Sequence, residues 1–129
     1  METNKIISPY FENGIFAGVR VCVADEDFII ALNDYNYGEK MSWYKMIDAL
    51  KYNNLDTWNY HQICLTMAYR KEIDKMFEDN GGDKLNTCWI REEITPEHAF
   101  FYDSYFGFLE SNRKSFIYTV RPIKNLKEE

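Results

Sequence analysis

In YRKEIDKMFEDNGGDKLNTCWIREE (residues 69–93), a helical pattern gives way to a strand across two glycines. Ile73, Met76 and Phe77 recur at the spacing that places apolar side chains on one face of a helix. The two glycines predict the end of that helix, because glycine readily takes the left-handed conformation that terminates helices. The apolar run that begins at Cys88 then predicts a strand that enters the core.

Length and composition indicate one folded domain. The chain has 129 residues, of which 46% are hydrophobic and 17% aromatic, enough for a substantial core. Its formal net charge is -6, and the basic residues are scattered among acidic ones. This distribution argues against nucleic acid as a partner, because contacts with phosphates need a basic patch.

The sequence also bears on location. The first residues lack the apolar core of a signal peptide, and no later stretch has the roughly 20 apolar residues of a membrane helix. Cys22, Cys64 and Cys88 each lie in an apolar run, which favours buried free thiols over disulfides or a zinc site. We expect a soluble protein that is cytoplasmic as made, without membrane insertion, and association with a virion or a cell surface stays open.

The pattern along the chain predicts strands, then helices, then strands. Residues 1–17 read as a lead-in segment, and residues 18–24 and 28–32 as a hairpin of two strands. Ser42 and Asn59 have side chains that cap helices, so a helix is expected after each of them. In the second helix, Tyr60, Ile63, Cys64 and Met67 are expected to face inward.

The C-terminal third is predicted to contain only strands and turns. FIYTVRPI (residues 116–123) alternates apolar and polar side chains, and residues 127–129 read as a solvated tail. Helices separated from a run of strands are typical of an α+β fold with antiparallel sheets. We expect the C-terminal strand to pair with the N-terminal hairpin, with Val120 partnered by a residue between Val19 and Leu32.

Several motifs occur in an order that resembles the bacterial and phage C-type lectin-like domains, over residues 18–126. That family pattern runs roughly as M-T-W-x-x-A, L-P-T before a helix, K-x-E-I followed by G-G, Y-W-S-S-T-E, A-W and V-R-P-V. The positions of this chain that match it are Met41, Ser42, Trp43, Glu72, Ile73, Gly81, Gly82, Trp89, Glu92, Ala99, Gly107, Val120, Arg121 and Pro122. The resemblance implies a C-type lectin-like fold with two to three helices and paired terminal strands, in which Trp89 packs in the core.

The chain departs from the family pattern at two places. Thr57, Trp58 and Asn59 stand where the family has L-P-T, although Asn59 keeps the capping chemistry of the threonine. Residues 89–92 read WIRE instead of W-S-S-T, in a strand whose outward side chains can contribute to ligand binding. The second departure therefore bears on the ligand and leaves the fold assignment unaffected.

Catalysis is not expected. Nucleophilic catalysis needs a cysteine or serine beside a positioned base, but His61 lies in a polar helical patch and His98 at a loop-to-strand junction. Formylglycine-generating enzymes share the fold and work through cysteines near the C-terminal sheet. Cys88 has no second cysteine close by in sequence. We therefore predict a protein that is not an enzyme and has no cofactor.

Calcium is the other chemistry common on this fold. Glu92, Glu93, Glu97 and Asp103 offer the oxygen ligands that calcium prefers. The E-P-N, Q-P-D and W-N-D signatures of sugar-binding lectins are missing from the chain. A solvated acidic loop is the favoured interpretation, and no metal site is predicted.

The segment HAFFYDSYFGFLESNRKSFIY (residues 98–118) has more aromatic residues than the two faces of a small sheet need. Tyr105, Phe106 and Phe108 flank Gly107, the expected tip of a hairpin. Exposed aromatic side chains near charged groups are typical of binding hot spots. Packing beneath neighbouring loops and self-association remain open alternatives.

These observations lead to the hypothesis of a non-enzymatic recognition module for a protein or glycan ligand. The resemblance extends to the variable proteins of diversity-generating retroelements, which implies a diversified receptor-binding protein of a phage or a gut bacterium. The alternative is an assembly protein, for example of a phage particle, that uses the same surface to form a homo-oligomer. The predicted ligand-facing residues are Arg91, Glu93, His98, Phe101, Asp103, Tyr105, Phe106 and Phe108.

Overall fold

A computed structural model describes residues 6–23 and 25–126, which form seven strands, three α-helices and one short 3-10 segment, Tyr35–Gly38. The strands are β1 (Ile7–Glu12), β2 (Ile15–Val23), β3 (Glu26–Ala31), β4 (Cys88–Glu93), β5 (His98–Asp103), β6 (Phe108–Arg113) and β7 (Ile123–Asn125). The helices are α1 (Trp43–Tyr52), α2 (Tyr60–Ala68) and α3 (Arg70–Asp79).

The strands form two antiparallel sheets. One has the order β1-β2-β3-β7 and the other the order β4-β5-β6. The C-terminal strand β7 pairs with β3, with Ile123 opposite Ile30, so the last strand closes on the N-terminal hairpin. The prediction of an α+β fold with antiparallel sheets is confirmed. The C-terminal strand pairs with the N-terminal hairpin through β3, whereas the first strand β1 pairs with β2.

The C-terminal pairing begins later than the sequence predicts. Tyr118 and Thr119 form only single bridges, to Met41 and Cys88. Within the part of the chain that the structure describes, Val120 has no partner in the N-terminal hairpin, and the predicted partner is wrong. The alternating pattern of residues 116–123 predicted one continuous strand. This prediction failed because the segment crosses between the two halves of the domain before it joins a sheet.

The predicted lead-in also contains regular structure. β1 and the start of β2 lie within residues 1–17, joined by a two-residue turn at Asn13 and Gly14. Both turn residues have positive φ, 52° and 80°, as a tight hairpin turn requires. The Asn-Gly dipeptide is a strong hairpin signal, so the prediction of an irregular lead-in over residues 1–17 is wrong for the part that the structure describes. Residues 1–5 and 127–129, at the ends of the predicted lead-in and tail, lie outside the described residues.

Local capping chemistry sets the helix boundaries. The Ser42 hydroxyl accepts a hydrogen bond from the backbone amide of Lys45 at 3.2 Å, and α1 begins at Trp43, the residue after Ser42. Asn59 and Gln62 form a reciprocal capping box at the start of α2. Both predicted caps are confirmed.

In the described residues, no helix combines the length and the apolar character needed to cross a bilayer.

The buried face of α2 differs from the prediction. Ile63 is buried as expected, but Gln62 and Thr66 are buried beside it, while Tyr60 is 49% exposed. Thr66 is held inward because its hydroxyl accepts a hydrogen bond from Nε1 of Trp58 at 3.0 Å. The polar residues Gln62 and Thr66 therefore occupy part of the buried face of α2, and the face that is buried is not the most apolar one.

The two glycines after α3 are needed for different reasons. Gly81 has φ +80° and terminates the helix in the left-handed conformation. Gly82 has ordinary φ, but a Cβ there would lie 2.4 Å from Cδ1 of Leu32. The first glycine therefore turns the chain, and the second lets its backbone approach the end of β3.

Two apolar clusters fill the interior. The larger lies among the first sheet, α2, α3 and β4, and includes Phe28, Trp58, Ile73 and Phe77. The smaller packs α1 against the second sheet and includes Trp89. Trp89 is fully buried, and its Nε1 donates to the backbone oxygen of Met41 at 2.9 Å, as expected for a core residue.

A buried guanidinium binds three segments of the chain to the residues that precede β7. Arg121 is fully buried, and its Nε and Nη2 donate to the backbone oxygens of Ala31 and Leu32 at 2.7 and 2.9 Å. Nη2 also donates to the backbone oxygen of Asp83, and Nη1 lies 3.3 Å from the Asp34 carboxylate. Burial lowers the pKa of Arg121, and the charge of Asp34 opposes that shift.

Arg121→Lys should therefore lower the free energy of unfolding by about 3 kcal/mol or more, because an ammonium group cannot reproduce the planar fork of donors. Denaturant melts monitored by circular dichroism would measure the change. Arg113→Lys, at an exposed position of β6, is the matched control and should shift stability by less than about 0.5 kcal/mol. Equal losses in both variants would contradict the structural role of Arg121.

Candidate ligand-binding surface

The turn between β5 and β6 is held by its first residue. Oδ1 of Asp103 accepts hydrogen bonds from the backbone amides of Tyr105 and Phe106 at 2.9 and 3.2 Å. The amide of Gly107 donates to the backbone oxygen of Asp103 at 2.7 Å. These three bonds fix the turn, so its side chains project from an ordered backbone.

The turn is also tied to its neighbours. The amide of Ser104 donates to the hydroxyl of Thr87 at 3.1 Å, just before β4. Gly107 has φ +81°, and a Cβ there would lie 2.7 Å from Nη1 of Arg70. Arg70 thus packs against the glycine backbone while Nη1 also donates to the hydroxyl of Tyr102 at 3.3 Å.

Three aromatic side chains on this turn form one exposed cluster, which we call the aromatic tip: Tyr105, Phe106 and Phe108. They are 87%, 64% and 50% exposed. Tyr105 and Phe106 meet edge to face with ring centroids 4.9 Å apart, and Phe106 stacks on Phe108 at 5.8 Å. The predicted exposure of these three residues is confirmed. Rings that support one another in solvent present a preformed apolar surface.

A groove of about 390 Å³ borders the aromatic tip. Its walls are residues 67–72, at the junction of α2 and α3, and the turn residues Phe106 and Gly107. Arg70, Lys71 and Glu72 make this wall charged, whereas the opposite rim is aromatic. The wall could not be predicted from the sequence, because it lies more than 30 residues from the turn.

Two titrating pairs flank the tip. A hydrogen bond shared by Asp103 and Glu110 lowers the pKa of Asp103 and raises that of Glu110, so Glu110 protonates first as the pH falls. The hydrogen bond from Arg70 lowers the pKa of Tyr102, but burial has the larger effect and raises it. Asp103 therefore stays ionised, and its carboxylate accepts the hydrogen bonds from the turn amides. Tyr102 stays a neutral phenol.

The eight predicted ligand-facing residues are spread over both ends of β5 and do not all lie at the aromatic tip. Arg91, Glu93 and His98 lie near the β4–β5 turn, whereas Asp103 begins the β5–β6 turn. The five steps of β5 separate these ends by about 17 Å at the usual rise per residue. Arg91 is paired with Asp56 at 2.7 Å, so it is already engaged away from the tip.

The other two members of the distant group have local roles. Glu93 forms an ion pair with Lys114, whose side chain is buried against the ring of Trp43. His98 contributes Nδ1 to a 3.0 Å contact with the Thr95 hydroxyl in the preceding turn. Both arrangements stabilise the β4–β5 end of the sheet.

Phe101 was predicted to face a ligand, and this prediction is wrong. It is only 7% exposed and stacks on Tyr118 with ring centroids 4.3 Å apart. It also meets Trp89 edge to face at 6.2 Å. The second sheet carries apolar side chains on both faces here, so the abundance of aromatics in the segment reflects packing as well as exposure.

The four acidic residues considered for calcium are dispersed. Glu92 accepts a hydrogen bond from the amide of Tyr60 at 3.3 Å, and Glu93 pairs with Lys114. Asp103 lies at the opposite end of β5 from both. These acids therefore do not converge on a common point, and the prediction that no calcium site forms there stays a prediction.

A larger cavity, of about 840 Å³, lies beside the 3-10 segment. Its lining is polar and includes Asp34, Tyr37, Asp83 and Asn86. Asp34 is already engaged by Arg121 and by Asn86, whose side-chain amide donates to it at 2.9 Å. Since the Asp34 carboxylate already serves the Arg121 cluster, we place the candidate surface at the aromatic tip and not in this cavity.

Comparison of the chain with protein-family models, with curated proteins and with solved structures finds no match.

Replacing Tyr105 and Phe106 together by serine should change the free energy of unfolding by less than about 1 kcal/mol, because exposed side chains lose little burial. Phe101→Ala, in the same hairpin, should cost about 3 to 5 kcal/mol. Denaturant melts of the three proteins distinguish surface from core. A loss of several kcal/mol in the double variant would show that the aromatic tip serves folding.

Proposed function

We propose that this chain is a non-enzymatic recognition module of C-type lectin-like fold that binds a protein ligand through the aromatic tip. The observation that carries the proposal is the exposure of three mutually packed rings on a turn fixed by Asp103. Side chains that are ordered before binding lose little entropy on binding, which favours affinity. The fold assignment is supported by the order of the elements and by the closure of β7 on β3.

A protein ligand suits the tip better than a glycan. The three rings offer an almost continuous apolar surface, the kind that forms the centre of protein interfaces. Recognition of sugar hydroxyls needs directed polar partners, and Oδ1 of the nearest carboxylate, Asp103, is occupied by the turn amides. Arg70, Lys71 and Glu72 in the groove wall would supply a polar rim around the apolar centre.

The resemblance adds the wider setting of a diversified receptor-binding protein of a phage or bacterium. In such relatives the varied positions are exposed ones in this region, and Tyr105, Phe106 and Phe108 are exposed here. An assembly protein that buries the same tip in a homo-oligomer is the alternative.

Small organic probes test whether the aromatic tip is a binding hot spot. Phenol and isopropanol titrated into ¹⁵N-labelled protein should shift the amides of residues 104–108 and 68–72 more than any other group, because both rims of the groove would contact the probe. The double substitution of Tyr105 and Phe106 by serine should abolish these shifts. Tyr52→Ser, which removes a ring that is 83% exposed elsewhere, is the matched control and should preserve them.

Shifts at the tip no larger than those around Tyr52 would contradict the proposal. Light scattering of the purified chain separates the assembly alternative: a stable oligomer that the double variant converts to a folded monomer would favour it. Tip shifts produced by simple sugars, with none from the apolar probes, would point to a glycan ligand.

A further inference from the structure

Three side chains with metal-ligand chemistry meet where the β2–β3 turn approaches the start of α2. Asp25 lies in the turn, Glu26 is the first residue of β3, and His61 is the second residue of α2. One ligand atom from each lies within 4.8 Å of the other two. Nε2 of His61 is 4.0 Å from Oδ1 of Asp25. Sequence alone does not suggest this group, because 35 residues separate Glu26 from His61.

A buried amide outside the group orients one of its carboxylates. Gln62 is only 3% exposed, and its Nε2 donates to Oε1 of Glu26 at 3.2 Å. The same nitrogen donates to Asn125 of β7, and the Gln62 oxygen accepts from the amide of Asn59. Glu26 is therefore positioned by a side chain that is itself fixed to β7 and to the start of α2. Outer partners of this kind orient ligands in metal sites.

The donor set selects the class of ion. One imidazole nitrogen with two carboxylates suits first-row transition ions, whereas calcium and magnesium prefer sites made only of oxygen. Donors of a tetrahedral zinc site lie about 3.4 Å apart at the usual bond lengths of about 2.0 to 2.1 Å. The 4.0 Å separation of the ligand atoms of His61 and Asp25 exceeds that spacing by about 0.6 Å.

We propose that Asp25, Glu26 and His61 bind one Zn²⁺ ion, with water completing its coordination. The negative charge of the two carboxylates outweighs the partial positive charge at the start of α2, so the local field favours a divalent cation. The ion would link the β2–β3 turn to α2. This site is independent of the aromatic tip. It differs from the sequence-based expectation that the protein has no metal site, because that expectation considered only the acidic residues between positions 92 and 103.

The test uses the full chain carrying Cys22→Ser, because the exposed thiol of Cys22 is a competing zinc ligand. Calorimetric titration with ZnCl₂ after removal of metal by chelation should give one saturable site per chain. His61→Ala should weaken binding by at least about tenfold, since even outer-shell changes in metal sites cost that much. His98→Ala, which removes the other histidine of the chain, should leave the affinity unchanged.

Glu26→Gln provides a second variant that keeps the size of the side chain and should also weaken binding at least about tenfold. Thermal melts in the absence of metal confirm that each variant folds, which is expected because His61 is exposed. Absence of a saturable site, equal affinity in His61→Ala, or an equal loss in His98→Ala would overturn the proposal. Each of these results would mean that zinc binds only adventitiously to the acidic surface.

Discussion

The burial of one guanidinium, that of Arg121, determines how the C-terminal part of this fold is arranged. A charge without solvent must find partners for its donors, or its burial costs several kcal/mol. Arg121 finds them in the backbone oxygens of Ala31, Leu32, Asp83 and Lys84 and in the carboxylate of Asp34. The end of β3, the loop after α3 and the start of the 3-10 segment must therefore converge on one point.

The double glycine follows from the same constraint. Gly81 reverses the chain at the end of α3, and Gly82 lets the backbone pass beside Leu32. Together they carry the oxygens of Asp83 and Lys84 to the guanidinium. The guanidinium also lies over the ring of Phe77, with its central carbon 4.5 Å from the ring centroid, so the last turn of α3 joins the cluster.

What the sequence could predict was mostly local. The Ser42 and Asn59 caps and the helix stop at Gly81 depend on a few neighbouring residues, and all three were predicted. The exposed tip at Gly107 was also predicted, because a glycine between aromatic residues marks a turn. The Asn-Gly turn of the first hairpin was equally visible, but it was missed because Ser8 and Pro9 interrupt the apolar pattern of β1.

The predictions that failed depended on contacts between distant segments. The alternation in residues 116–123 indicates a strand, but Tyr118 and Thr119 bridge different elements instead of joining one sheet. Phe101 looks like its exposed neighbours in sequence, and only its contacts with Trp89 and Tyr118 show that it is buried. The groove wall at Arg70 and the group around His61 likewise arise from packing that periodicity does not encode.

The proposed function requires that the aromatic tip lies outside the cooperative core and is available for recognition. Native-state hydrogen exchange in increasing denaturant tests it residue by residue. The amides of Ala31 and Ile123, which donate to the backbone oxygens of Pro122 and Asp56, should exchange only through global unfolding, with a strong dependence on denaturant. Those of Tyr105 and Phe106 should exchange through local opening that denaturant does not affect. If the tip amides instead shared the free energy and denaturant dependence of the core, the tip would be part of the folding unit and the account would be wrong.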